Sequence, residues 1–281
     1  MAYNLTRDYE VAEVFNGGAG QGSGYPGYTH SKEVLGITDS DLGARTLKIG
    51  GSIGSHAAAW ASKGIRYQAL MEFFELNGEL LKGLFSINSR KRNSSLEGLS
   101  KAFVGEDTRF GDLEDLNIPA TDITESIRKP FTLNYKTAPD VKVYKGIMGS
   151  SSAPFLYDSV KIKIDGKTRE FIDVGFSGYN LVLEAMSHES VREIINIGVL
   201  DEKSAKLLEK YYMKMAFWSG IPREVQEVET EVRENKKVYS FNPNLPGGHL
   251  LDSGFSSIVE LSDQCYLEAM KFFSSLGIRK F

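Results

Sequence analysis

A single cysteine, Cys265, stands in the whole chain, so no intrachain disulfide is possible and a reducing compartment fits better than an oxidising one. An excess of charge of one sign is lacking as well. Thirty-three lysines and arginines face 37 aspartates and glutamates, for a net charge of -4. A nucleic-acid partner would call for a basic face or stripe, so none is expected. No apolar run reaches the roughly 20 residues that a membrane-spanning helix needs. The stretch Met1 to Glu10 has no basic region followed by an apolar one, so no signal peptide is read from it. With 281 residues, 41% hydrophobic and 25% charged, the composition is that of a globular protein with chain enough for one large α/β domain or two small ones. The expectation is a cytoplasmic or otherwise soluble protein whose contact with membranes is peripheral.

Glycine, by contrast, is plentiful, and it falls in two clusters that matter. Val11-Ala12-Glu13-Val14-Phe15 reads as a buried strand that runs straight into Asn16-Gly17-Gly18-Ala19-Gly20-Gln21-Gly22-Ser23-Gly24. Glycines directly after a strand imply a close approach of backbone to something. One reading is a phosphate cradle, since Gly22-Ser23-Gly24-Tyr25-Pro26-Gly27 has the dinucleotide-binding spacing. No P-loop lysine and no second βαβ unit with a ribose-binding acid accompany it, and Pro26 interrupts it. The other reading is an oxyanion loop, whose N–H groups point at a developing negative charge. A helix is predicted from Tyr28 to Leu35, ended by Gly36.

The second cluster is Ile49-Gly50-Gly51-Ser52-Ile53-Gly54-Ser55, preceded by a strand-like run from Arg45 and followed by a helix from Ser55 to Ser62. This is the spacing of a nucleophile elbow, in which Gly50 and Gly54 relieve the crowding of a sharp strand-to-helix turn and Ser52 is pushed into the open. The helix N-terminus behind it supplies unsatisfied N–H groups and positive partial charge.

Further along, Ile65 to Leu84 reads as helix, broken near Asn77-Gly78, and the polar, cationic Asn88 to Ser95 as a surface loop. Lys101 to Thr124 is irregular and acidic, with Asp107, Asp112, Glu114 and Asp115, but the spacing is not that of a calcium loop and no metal is assigned. Phe131 to Tyr135 and Val141 to Tyr144 read as strands. Val160 to Ile164 and Thr168 to Ile172 flank Asp165-Gly166 and predict a tight hairpin, with Asp173 just past its end. The last third offers an amphipathic helix from Asp201 to Phe217, a charged connector from Val225 to Asn235, a strand at Val238 to Phe241 and a helix from Ser256 to Leu276.

Four separated stretches together resemble the patatin-like phospholipases. Gly17, Gly18, Gly20 and Gly22 match that family's glycine loop, Gly50, Ser52 and Gly54 its elbow, Ser152-Ala153-Pro154 its small-residue segment, and Asp173 with Gly175 its aspartate motif, in the family's order over residues 11 to 186. Ala19, Gln21 and Val174 depart from it, standing where glycine, a cation and glycine are usual; a β-branched Val174 resists positive φ and threatens to reposition Asp173.

The resemblance implies a single three-layer α/β/α domain over 1–281 with a mostly parallel central sheet, motif-bearing to about 186 and largely helical from 187 to 281. It also implies a serine lipid acyl hydrolase of phospholipase A or lysophospholipase type, acting on phospholipid or lysophospholipid without a cofactor or metal. Ser52 and Asp173 would be the catalytic dyad, and backbone N–H groups among Gly17, Gly18, Ala19, Gly20 and Ile53 the oxyanion hole. Two other readings stay open: a catalytically silent lipid-binding protein, and an ordinary Ser-Asp-His esterase using His188 or His249. Asp165 ranks below Asp173 as a base because a hairpin turn explains it. Arg279, Lys280 and Phe281 are expected to assist membrane docking, and whether a protein activator is needed is open.

Overall fold

In the computed structural model, residues 9–17, 19–37, 46–125, 129–198, 236–243, 245 and 255–276 are described. An eight-stranded sheet forms the centre. Its parallel block runs through β3 (Leu116–Asp122), β2 (Thr46–Gly50), β1 (Val11–Phe15), β7 (Glu193–Ile197) and β8 (Lys237–Phe241), in that spatial order. An antiparallel annex completes it. β4 (Lys129–Leu133) and β6 (Lys167–Ile172) both pair with β3, and β5 (Val160–Ile164) pairs with β6.

Period-two alternation sorts the strands between two apolar layers. Ala12 and Val14 of β1, Leu47 and Ile49 of β2 and Ile194 of β7 face α7 (Leu181–Ser187), meeting Leu181 and Ala185. Val11 and Phe15 of β1, Leu116, Ile118 and Ala120 of β3 and Ile195 and Ile197 of β7 face the opposite, thicker layer. That layer is built from α1 (Tyr25–Leu35), α2 (Ile53–Ser62), α3 (Tyr67–Leu76), α4 (Gly78–Gly83), α5 (Ser89–Val104), α6 (Val143–Ser151) and α8 (Phe255–Ser275). The fold is therefore α/β with helices on both faces of a mostly parallel sheet. Among the described residues no helix is long and apolar enough to cross a membrane.

Glu13 and Lys48 place charge within this buried sheet. Glu13 is fully buried on the α1 side of β1, in register with Lys48 of β2 and ion-paired to it at 3.4 Å, while Tyr28 donates to Glu13 at 2.7 Å and Lys32 at 2.9 Å. Burial alone would raise this carboxyl. The two ammonium groups and the hydrogen bonds outweigh it and bring the pKa to about 2.

Several elements differ from the sequence reading. Asn88 is not in a loop but caps α5, its side chain accepting from the Lys91 N–H at 3.2 Å. The helix was hidden because its apolar positions begin only at Leu96. Within the segment read as irregular, α5 continues to Val104 and Leu116–Asp122 is the fully buried β3. Val141 to Tyr144 is no strand: α6 begins at Val143, and Tyr144, Ile147 and Met148 recur at helical spacing. α1 starts three residues early, with Pro26 in the first turn, where a missing N–H costs nothing. The hairpin at Asp165-Gly166 has positive φ at both turn residues, +48° and +78°. The expected helix 201–217 and connector 225–235, together with His249, Arg279, Lys280 and Phe281, lie outside the described residues.

Candidate active site

The two glycine clusters meet because β1 and β2 are parallel neighbours in register. Phe15 pairs with Gly50, so Asn16-Gly17 and Gly51-Ser52 leave the sheet side by side at its carboxyl edge, where open α/β sheets place their ligand sites. The Gly51 N–H donates to the Phe15 carbonyl at 3.2 Å. Asn16 is pinned on the far side, its side chain donating to Asn196 Oδ1 at 2.7 Å and its N–H to the Ile197 carbonyl at 3.0 Å.

The turn from β2 into α2 is as sharp as the motif demands. A Cβ at Gly50 would lie 2.2 Å from the Gly54 carbonyl oxygen, and one at Gly54 would lie 2.1 Å from the Phe15 carbonyl oxygen. Only glycine fits at either position. Ser52 carries the strain, with φ +52° and ψ −130°, outside the regions that side-chain-bearing residues favour. Three serines hold it there. The Ser52 N–H donates to Ser150 Oγ at 3.0 Å, Ser150 Oγ donates to the Pro119 carbonyl at 2.6 Å, and the Ser52 carbonyl accepts from Ser151 Oγ at 2.8 Å and Ser55 Oγ at 2.5 Å. The roles of Ser150 and Ser151 are not legible in sequence, where the only signal is a small-residue run ahead of Ala153-Pro154.

Asp173 arrives from the antiparallel annex. β6 ends at Ile172, opposite Thr121 of β3, and Asp173 caps the 3-10 turn Val174–Ser177. Its N–H donates to the Ser152 carbonyl at 3.0 Å, and its own carbonyl accepts from Thr121 Oγ1 at 2.9 Å. Its Oδ1 accepts from the Gly175 N–H at 2.8 Å, and its Oδ2 accepts from Ser52 Oγ at 2.7 Å. The carboxylate is buried, 1% exposed. Val174 keeps a negative φ and packs over Gly51, so the β-branched residue leaves Asp173 within reach of Ser52.

Of the residues singled out as oxyanion donors, Gly17 lies against the hydroxyl: a Cβ there would be 3.1 Å from Ser52 Cβ and 3.8 Å from its Oγ. Ala19 and Gly20 open a 3-10 turn that runs to Gly24, and Gly18 lies outside the described residues. Ile53 is the first residue of α2, where the N–H has no partner within the helix. Gly24 and Gly27 both face α8. A Cβ on Gly27 would lie 1.9 Å from the Ser262 carbonyl oxygen, so that glycine lets α1 press against α8 and the dinucleotide reading loses its third glycine.

Neither His188 nor His56 bonds to Ser52 or Asp173. His188 Nε2 lies 3.3 Å from Asn117 Nδ2, in a cluster where Glu184 accepts from Asn117 at 3.0 Å and from Thr132 at 2.9 Å. Burial lowers its pKa, with Glu184 pulling the other way. His56 is buried beside Ser100 on α2, and burial lowers its pKa to about 4. Asp165 sits in the hairpin turn, and no group of three or more metal-ligating side chains exists among the described residues.

Comparison of the sequence with family models and with curated proteins gives no match. Solved structures do resemble the chain. ExoU in complex with SpcU, from the type III secretion system of Pseudomonas aeruginosa, is 16% identical with a TM-score of 0.43 over 95% of this chain and 52% of that one. The type III effector protein ExoU solved separately is 14% identical, with a TM-score of 0.44 over 96% and 54%. VipD from Legionella pneumophila is 12% identical, with a TM-score of 0.47 over 95% and 67%. The chain spans about half the length of the ExoU structures.

Proposed function

We propose that this chain is a serine hydrolase of lipid carboxylic esters, of phospholipase A or lysophospholipase type, working through Ser52 and Asp173. The observation that carries the reading is the 2.7 Å bond from Ser52 Oγ to Asp173 Oδ2, made by a serine on a strained elbow. Asp173 takes the hydroxyl proton as Ser52 Oγ attacks the ester carbonyl carbon. The developing oxyanion is met by the amides of the Gly17 to Gly20 loop and of Ile53; the Ser52 amide is already engaged by Ser150 and takes no part. Collapse of the tetrahedral intermediate expels the alcohol half, which leaves with the proton from Asp173. Water, giving its proton to the same carboxylate, then attacks the acyl-serine and releases the fatty acid.

The direct contact also argues against a Ser-His-Asp triad, since an imidazole ring cannot be inserted between two groups already 2.7 Å apart. The resemblance to patatin-like phospholipases in motif order supports lipid esters over other esters.

The test is fluorophosphonate labelling, together with fatty-acid release from phosphatidylcholine and lysophosphatidylcholine, for wild type, Ser52→Ala and Asp173→Ala. The wild type is expected to label and to release fatty acid, with losses of about 10⁴-fold in the variants. Release by Ser52→Ala at the wild-type rate would end the proposal, and binding of lipid by a wild type that releases nothing would leave a silent lipid-binding protein.

A further inference from the structure

We propose that two loops, 84–88 and 155–158, form a rigid ridge by which the chain docks on an anionic lipid bilayer beside the Ser52–Asp173 pair. The inference rests on the reading of that pair as a lipid-ester site. The ridge exposes large apolar side chains: Ile87 is 100% exposed, Phe155 69% and Leu156 38%. Phe155 has φ +66°, a backbone conformation that bulky residues rarely adopt, so its outward position is imposed by the fold.

The loops are tied to each other. The Arg92 guanidinium donates to the Ser86 carbonyl at 2.6 Å and the Ile87 carbonyl at 2.9 Å, and from its Nε to the Leu156 carbonyl at 2.6 Å. Asn93 and Asp158 exchange two hydrogen bonds, at 2.9 and 3.0 Å, and Tyr157 donates its hydroxyl to the Leu84 carbonyl at 2.7 Å. One side chain thus holds the backbones of Ile87 and Leu156 within a few ångströms of each other. Loops fastened this firmly would hold apolar side chains in water at all times, which a surface used only in water has no reason to do.

Two features select a bilayer as the occupant. Arg90 and Lys91, both exposed, lie in the first turn of α5 directly after Ile87, so the apolar tip carries cations at its side. Of the acids beside them, Asp158 accepts from Asn93, and Glu79 is paired with Lys82 at 3.0 Å and also feels the Lys91 charge. Apolar insertion flanked by cations is the chemistry of an anionic headgroup layer. The ridge is also continuous with the site: Phe155 lies three residues after Ser152, whose carbonyl accepts the Asp173 N–H. Seating the ridge in the headgroups would bring the reacting hydroxyl to the interface where its ester lies.

The experiment is sedimentation with phosphatidylcholine vesicles, with and without phosphatidylserine, using the full chain carrying Ser52→Ala so that no lipid is consumed. Ile87→Ser and Phe155→Asn are each expected to weaken partitioning about tenfold on both vesicle types. Arg90→Gln and Lys91→Gln are each expected to weaken it about fivefold, on the phosphatidylserine vesicles only. Circular dichroism and thermal unfolding of the same variants check that the fold is kept. Sedimentation of Ile87→Ser and Phe155→Asn at the parent level would overturn the proposal. So would a parent that does not bind either vesicle, or one that forms a dimer broken by Ile87→Ser, which would make a second copy the occupant. Because binding is scored without Ser52, the answer stands whether or not that hydroxyl is the nucleophile.

Discussion

Ser150 Oγ accepts the amide proton of Ser52 at 3.0 Å, and by doing so it ties the strained turn of the elbow to β3 through the Pro119 carbonyl. A positive φ at a residue with a side chain costs on the order of 1–3 kcal/mol and persists only where neighbours over-determine it. Ser150 on its N–H, and Ser151 and Ser55 on its carbonyl, are those neighbours.

Replacing Ser150 by Ala removes both bonds and leaves a buried N–H and a buried carbonyl without that partner, at a cost of about 1–3 kcal/mol. The expected result is a lowered melting temperature together with a kcat reduced by about tenfold and a nearly unchanged KM. Ser150→Thr, which keeps the hydroxyl, should recover part of both. A variant as active and as stable as the wild type would show that the hydroxyl does not position the elbow.

Ser52 itself allows the strain to be measured apart from the chemistry. Ser52→Ala and Ser52→Gly both lose the bond to Asp173, but only glycine accepts φ +52° without penalty. Both should be inactive, and the glycine variant should be more stable than the alanine variant by about 1 kcal/mol in urea unfolding. Equal stabilities would mean that the elbow relaxes when the hydroxyl is lost.

Much of this geometry could be read from the chain before any coordinates, for reasons that are local. The crowding at Gly50 and Gly54, the turn at Asp165-Gly166 and the buried runs around Phe15 and Ile49 follow from steric rules that act over a few residues. The pairing of Ser52 with a carboxylate 121 positions away is of another kind. No periodicity points to it; the ordered motifs of the resemblance single out Asp173, and the hairpin turn that explains Asp165 sets that residue aside. What stayed hidden depends on tertiary context. α5 begins in a cationic stretch whose apolar contacts come later, Val143 and Tyr144 have strand propensity but pack as helix, and Glu193-Ile194-Ile195-Asn196-Ile197 is a central strand that no turn signal marks. Ser150 belongs to the same class, since a hydroxyl in a small-residue run acquires its role only when α6 is laid beside α2.

His188 is one of the two histidines, with His249, that separate the dyad from a triad. Its ring is bonded to Asn117, which itself donates to Glu184, on the α7 side of the sheet, and Asp173 Oδ2 already receives the Ser52 hydroxyl. His188→Ala is therefore expected to retain activity within a few-fold on a soluble ester, measured beside the wild type at the same pH. A loss near 10⁴-fold would restore the triad.

Acid should lower the stability through two ranges of pH, and the buried groups that contribute most, His56 and Glu13, act with the same sign. His56 is buried, and burial lowers its pKa from 6.5 to about 4, with a backbone contact to Ile53 opposing the shift. Between those values the unfolded imidazole binds a proton that the folded one refuses, so stability is whole above pH 6.5 and is lost as pH falls towards 4, by about 3 kcal/mol. Glu13 acts lower. Its carboxyl, held at about 2 against an ordinary 4.5, contributes stability that is present above 4.5 and disappears as pH falls through that window. Melting temperatures measured from pH 7.5 to 3 should therefore decline first through the histidine range, and His56→Leu should flatten that first decline while leaving the lower one in place. An unchanged profile in His56→Leu would mean that the imidazole is protonated as readily in the folded chain as in water.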